Sequence, residues 1–465
     1  MAQAVKKKRN LVPHVFALLF ILTAFMAIMT WIIPAGQYER IKEGNVTKVV
    51  ADSFKIIESS PQGLWEIFHA VVKGWTLSAS MIYMVFFVGG AIKILEDTGT
   101  IRGGMNRVVH SLKGKEIWAV AIIMFLMSVG GAVGVFANPV VALIPLGILL
   151  ARGLGYDGAV GFFMIYLASY AGFNVGWGNV FTVGIAQNVA ELPLFSGMGV
   201  RIFFHLANYA LVFFFVWRYI KMIKADPTKS LVYTGEEASQ AEEENLDEKE
   251  TMTLRHMICT TIVVVGFAAI IYGSLKHGRG IDHYSVVFFI MAVTCGIIGG
   301  LGINGTAIAF VKGCGTMAYA GLVIGMARAI SVVMTDGKII DTVIYYLSLP
   351  IAKFGAVVGA NLMFMANVVI NFFVPSGSGQ AVTVMPIMVP LADLTGITRQ
   401  VAVQAFQFGD GFTNCIIPTA SALMGCLGLA GIPYGKYLRW IMPIIAIQLL
   451  FAMVALTILQ SIGWS

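Results

Sequence analysis

Charge is scarce in this sequence. Asp, Glu, Lys and Arg together make up 12% of 465 residues, where a soluble domain carries about 25%. Such a chain has too little polar surface to live in water alone. Cysteine is sparse as well: Cys259, Cys295, Cys314, Cys415 and Cys426 stand apart along the sequence with no CxxC pair. That spacing excludes a disulfide framework or a thiolate metal site and leaves five reduced packing residues. The seven histidines are scattered. A Walker A loop, an HExxH pair and a GxSxG elbow are missing, so ATP-driven pumping by this chain and the familiar hydrolase chemistries are excluded and no catalytic residue is nominated. Gly153-Leu-Gly155-Tyr-Asp-Gly158 fits a dinucleotide fingerprint, but no strand precedes it. The expectation is no enzyme, no metal, no cofactor and no nucleic-acid partner.

Hydrophobic residues are abundant, at 58%, and they fall in runs. A bilayer core about 30 Å thick needs about 20 apolar residues per crossing helix, and full crossings are expected near 11–34, 75–95, 158–190, 200–222, 256–275, 284–303, 314–334, 397–430 and 435–460. Two further apolar pieces, near 117–153 and 354–394, are too long for one helix. They are broken by Ala-Asn138-Pro139 and by Pro375-Ser-Gly-Ser-Gly-Gln380, and each is expected to be a re-entrant hairpin. With both as hairpins, Lys6 to Arg9, the 102–115 segment, Arg152, the 218–224 cluster, Arg255, Lys312 and Lys436/Arg439 all fall on the cytoplasmic side, as basic residues prefer. The N-terminus is then cytoplasmic. Residues 225–255 carry nine acids and no apolar periodicity and read as a flexible cytoplasmic linker. The expected organisation is a basic tail at 1–10, a membrane repeat at 11–224, the linker, and a second repeat at 256–465.

The repeat rests on five landmarks in the same order. Val72-Lys73-Gly74 returns as Val311-Lys312-Gly313, Asp97 as Asp336, Pro145 as Pro386, Gly155 as Gly396 and Gly172-Phe173 as Gly411-Phe412, at separations of 239, 239, 241, 241 and 239 positions. An odd number of spans between equivalents makes the two halves inverted. In each half a hairpin is followed by a long apolar helix broken by small polar residues, first at Gly172 to Thr182 and then at Gly409 to Thr419. Non-helical backbone survives at membrane depth only inside protein or around a hydrated cavity, and matched breaks in two halves point to a transporter's binding site. Asp410, an ionisable group in the second break, costs at least about 2.5 kcal/mol to insert and needs a job. It could bind a coupling H+ or Na+ or a substrate cation, or form a structural salt bridge with Arg328.

The strings PSGSGQA at 375–381, GDGFTN at 409–414 and FTVGIAQ at 181–187 resemble the YfcC family. That family is grouped with C4-dicarboxylate carriers, arginine/ornithine exchangers and short-chain fatty acid carriers in the ion transporter superfamily. The resemblance covers essentially the whole chain. It implies an all-α polytopic membrane protein with two inverted repeats, re-entrant hairpins and discontinuous helices, a homodimeric elevator-type carrier in a bacterial cytoplasmic membrane. The implied substrate and ion ligands are Asn138, Asn179, Thr182, Ser376, Gly377, Ser378, Gly379, Gln380, Asp410, Thr413 and Asn414, to which the first break adds Asn174. Two departures stand out: Val180 where relatives often carry proline, and no Ser-Asn-Thr hairpin tips like those of sodium/dicarboxylate symporters. A dicarboxylate would face Asp410 with no lysine or arginine in either broken element, so basic amino acids are favoured over C4-dicarboxylates or short-chain carboxylates. A passive channel is disfavoured by the duplicated breaks.

Overall fold

The computed structural model describes residues 15–43, 46–50, 53–101, 114–136, 140–233, 253–277 and 281–465. The expected basic tail and most of the acidic linker lie outside these residues. Six of the described helices are long and apolar enough to cross a membrane: Ala79–Asp97, Met198–Ala225, Ile281–Ile298, Ala318–Asp336, Ala356–Phe373 and Tyr434–Ser461. Outward-facing Trp31, Trp118, Ile122 and Val311 are exposed, a greasy surface suited to lipid rather than water.

The helices gather into two bodies. Val15–Ile32, Leu64–Leu77, Ala79–Asp97, Leu254–His277, Ile281–Ile298, Gly302–Thr316 and Ala318–Asp336 pack on one another. The hairpins, the broken helices, Met198–Ala225 and Tyr434–Ser461 form the second body, which meets the first mainly where Ala318–Asp336 lies on Ser421–Leu429. Within the first body two long helices are each split, at Ser78 and at Met317, again 239 positions apart. Leu64–Leu77 packs on Ala318–Asp336 while Ala79–Asp97 packs on Gly302–Thr316, so the pairs interchange under the sequence offset. The same glycine allows both approaches: a methyl on Gly74 would lie 2.5 Å from the Gly325 carbonyl, and one on Gly313 would lie 2.3 Å from that of Gly89. The polar ends differ, since Lys73 pairs with Asp336 at 2.7 Å but Asp97 pairs with Lys93 at 2.8 Å.

Two features depart from the expected layout. The crossings placed near 75–95 and 314–334 extend back to Leu64 and Gly302, because Glu66, His69 and Lys73 lowered the apparent hydropathy of a helix whose Leu64, Trp65, Phe68 and Val72 are exposed. Short antiparallel strands interrupt the all-α pattern between 36 and 56, with Gly36 opposite Ile56 and Arg40 opposite Val49. They are tied to helix Ile340–Ser348 by Arg40 Nη2 to Asp341 Oδ1 at 2.8 Å and by a Phe54–Tyr345 stack. Cys259 and Cys295, far apart in sequence, face each other, each thiol 3.7–3.8 Å from the other's carbonyl.

Candidate functional site

Both broken helices and the second hairpin are present, and the caps explain where the broken helices begin. Gly155 and Gly396 end the preceding helices with φ of +78° and +72°, a backbone that favours glycine. Asp157 and Thr398 then cap the next helices, accepting from Val160 N at 2.9 Å and Val401 N at 3.3 Å. These pairs keep the 241-position offset. Helices Glu116–Ala132 and Val140–Gly153 stand where the first hairpin is expected, its tip outside the described residues, and the second hairpin joins Ala356–Phe373 to Gly377–Thr395. The first broken helix runs Gly158–Phe173 and resumes at Val180; the second runs Arg399–Thr413 and resumes as Ser421–Leu429.

A helix that stops inside protein leaves its last carbonyls without intrahelical donors. At the second break they are met one by one. Asn371 Nδ2 donates to Asp410 O at 2.8 Å and also to Thr413 Oγ1 and Asn414 Oδ1. The hydroxyls of Tyr166, Tyr437 and Tyr434 donate to the carbonyls of Asn414, Cys415 and Ile416 at 3.0, 2.8 and 2.6 Å. At the first break Gln407 Nε2 donates to Phe173 O at 2.6 Å and Asn208 Nδ2 to Ala171 O at 2.8 Å. Each break is therefore held open by side chains from other elements.

The breaks also touch. A methyl on Gly411 would lie 2.4 Å from Asn174 Cα, so the second helix crosses directly over the first interruption. The second hairpin tip closes the group: a methyl on Gly377 would lie 2.5 Å from Thr182 Cγ2 and 3.0 Å from Asp410 Oδ2. Ser376 caps the helix that starts there, accepting from Gly379 N. The N-terminal, positive end of helix Gly377–Thr395 therefore lies against the Asp410 carboxylate.

Asp410 is fully buried, and among the described residues neither carboxylate oxygen has a hydrogen-bond partner. It makes no salt bridge with Arg328. Around it other buried oxygens are also bare: Asn174 Oδ1, Thr182 Oγ1, Asn371 Oδ1, Gln380 Oε1 and Gln407 Oε1. The amide orientations of Asn371 and Gln407 are set by their nitrogens donating to carbonyls, so these atoms are oxygens rather than misassigned nitrogens. The bare donors are fewer, Asn179 Nδ2, Gln404 Nε2 and the Thr182 hydroxyl, which is also an acceptor.

Of the residues expected here, Gly377, Thr182 and Asp410 are brought together, Thr413 and Asn414 join through Asn371, and Asn174 joins through Gly411. Asn179 caps the resumed helix, accepting from Phe181 N at 3.0 Å. Gln380 is bound to Asn367 within its own hairpin at 3.0 Å, and Ser378 is exposed. Asn138 lies outside the described residues. Asn371 and Gln407 were not anticipated. The signal for the second was present, because Gln400, Gln404, Gln407 and Asp410 recur at helical spacing along Arg399–Thr413.

Residues 12–461 match the model of a family described as the C4-dicarboxylate anaerobic carrier. The chain is 28% identical, over 93% of both sequences, to an Escherichia coli K12 protein named "Putative basic amino acid antiporter YfcC". It is 27% identical, over 98% of both, to an uncharacterized protein of Haemophilus influenzae. Among solved structures it aligns with the YdaH transporter of Alcanivorax borkumensis at 17% identity and a TM-score of 0.40, covering 97% of this chain and 99% of that one. It aligns with MtrF of Neisseria gonorrhoeae at 19% and 0.41, covering 97% and 95%. A multi-pass helical chain matched from end to end by a carrier family is a membrane transporter, and it belongs to the C4-dicarboxylate anaerobic carrier family.

Proposed function

We propose that the chain is a secondary active carrier of basic amino acids, working by arginine/ornithine-type exchange or with a coupling H+ or Na+, in a bacterial cytoplasmic membrane with its N-terminus inside. The observation that carries this reading is the unpartnered Asp410 carboxylate among bare oxygen acceptors. A buried charge and buried acceptors left without partners are costly, and the ligand that relieves them is a cation rich in N–H donors. A guanidinium or ammonium supplies those donors. A dicarboxylate supplies only more acceptors and a second negative charge, which is why it is the alternative rather than the choice.

The transport cycle in this proposal moves the second body past the first, an elevator motion, with the hairpins re-entrant and their tips gating the breaks. Support comes from the interchange of helix pairs under the 239–241 offset: hairpin helix Gly377–Thr395 packs on Ile185–Val189, and Val140–Gly153 packs on Ser421–Leu429. That exchange suits two inverted halves about one central site. A homodimer built on the first body completes the proposal.

The test is counterflow in proteoliposomes. Vesicles preloaded with ornithine should accumulate labelled arginine above equilibrium, and external succinate should not compete. Counterflow of succinate with none of arginine, lysine or ornithine would transfer the site to the dicarboxylate reading. Ohmic current without saturation would indicate a channel.

A further inference from the structure

Arg328 lies within helix Ala318–Asp336 of the first body, half-buried, and among the described residues it has neither a hydrogen bond nor an ion pair. Its place follows by extending two contacts that precede it on the same helix. A methyl on Gly428 would lie 3.2 Å from Tyr319, and one on Gly425 would lie 2.9 Å from Ile324 Cγ1. The two helices thus run past each other in opposite senses. Arg328 follows Ile324 by four residues, hence on the same face one turn on. Continuing the register sets it level with Ser421, where the second broken helix resumes, and sets Ser331 level with Thr419.

The polar groups that this register brings level are of one kind. Helix Ser421–Leu429 starts at Ala420 without a side-chain cap, so its first N–H groups and its positive end are free. The hydroxyls of Ser331 and Thr419 are buried without partners. A free guanidinium, two free hydroxyls and an uncapped helix N-terminus all suit an anion with planar oxygens. On the far side of the break stands Asp410, whose nearest positive helix end, at Gly377, it already occupies. The two charges have no equivalents in the first half, where the offset leads to Gly89 and Ala171.

Resting on the basic amino acid reading above, we propose that Arg328, with Ser331, Thr419 and the N-terminus of Ser421–Leu429, binds the carboxylate of the transported amino acid while Asp410 takes its cationic end. Arg328 is then a specificity-determining residue contributed by the body opposite Asp410, and the carrier distinguishes an amino acid from its decarboxylated amine.

The experiment measures ligand-induced thermal stabilisation and binding by titration calorimetry on the full-length protein in detergent, with L-arginine, agmatine and succinate as probes. The wild type should bind arginine more tightly than agmatine. Arg328→Gln should weaken arginine by at least about tenfold, the size of one lost charge-assisted contact, while agmatine changes by less than about threefold. Arg328→Lys should recover part of the loss. Equal weakening of arginine and agmatine, or unchanged arginine binding, overturns the proposal. Binding of succinate alone, weakened by Arg328→Gln, upholds Arg328 as the carboxylate residue and removes the basic amino acid reading; succinate binding indifferent to the variant removes both.

Discussion

At the scale of single residues the site is organised by what is left unpaired. The Asp410 carboxylate has no donor, so its replacement by the isosteric amide removes charge without breaking a hydrogen bond. Asp410→Asn should therefore fold normally and melt at a higher temperature than the wild type, because the insertion cost of at least about 2.5 kcal/mol is lifted. The same change should raise KM for arginine by about 30-fold or more, as loss of a buried charge contact does. Thermal unfolding beside counterflow checks both, and a destabilised variant would mean that the carboxylate is a structural group. Gly377 offers a second test. An alanine there drives a methyl into Thr182 Cγ2, so Gly377→Ala should abolish uptake, and Thr182→Ser, which removes that carbon and keeps the hydroxyl, should restore part of it in the double variant. Asp410 was legible in the sequence because ionisable residues stand out in an apolar run. Asn371 was not, because a single amide inside Val368 to Phe373 looks the same whether it ties helices or holds a break open, and only the fold says that it reaches Asp410 O.

At the scale of elements, the breaks are stable because their loose carbonyls have donors. Three tyrosines serve the second break in succession, and Tyr437 is fully buried when it does so. Tyr437→Phe leaves the Cys415 carbonyl unpaired and should cost about 1–3 kcal/mol of stability, read as a lower melting temperature. If the break is the binding site, transport should fall further than stability alone explains at a temperature where the variant is still folded. Both breaks, the second hairpin and the capping positions could be found in the sequence, since glycine, proline and Asp/Thr signals there are local. The extension back to Leu64, and the strands between 36 and 56, were not legible, because charged residues on one face masked an amphipathic helix and a short ribbon has no membrane signature.

At the scale of the whole molecule, the proposed elevator cycle requires a face that slips. The broadest contact between the two bodies is helix Ala318–Asp336 on Ser421–Leu429, with Ile324 against Gly425 at its centre. Small residues on the second helix, Gly425 and Gly428, give a smooth surface, which is what sliding needs. Cysteines at Ile324 and Gly425, placed in a background where Cys314, Cys415 and Cys426 are alanine, should be joined by a short bis-thiol reagent. Joined protein, confirmed by mass, should lose counterflow and regain it when a cleavable linker is reduced. The natural pair Cys259 and Cys295 serves as the control, because both lie on adjacent helices of the first body and a link between them restrains no relative motion. Transport that survives the first link would place the moving surface elsewhere; transport lost on linking the control pair alone would mean that the first body itself deforms during the cycle.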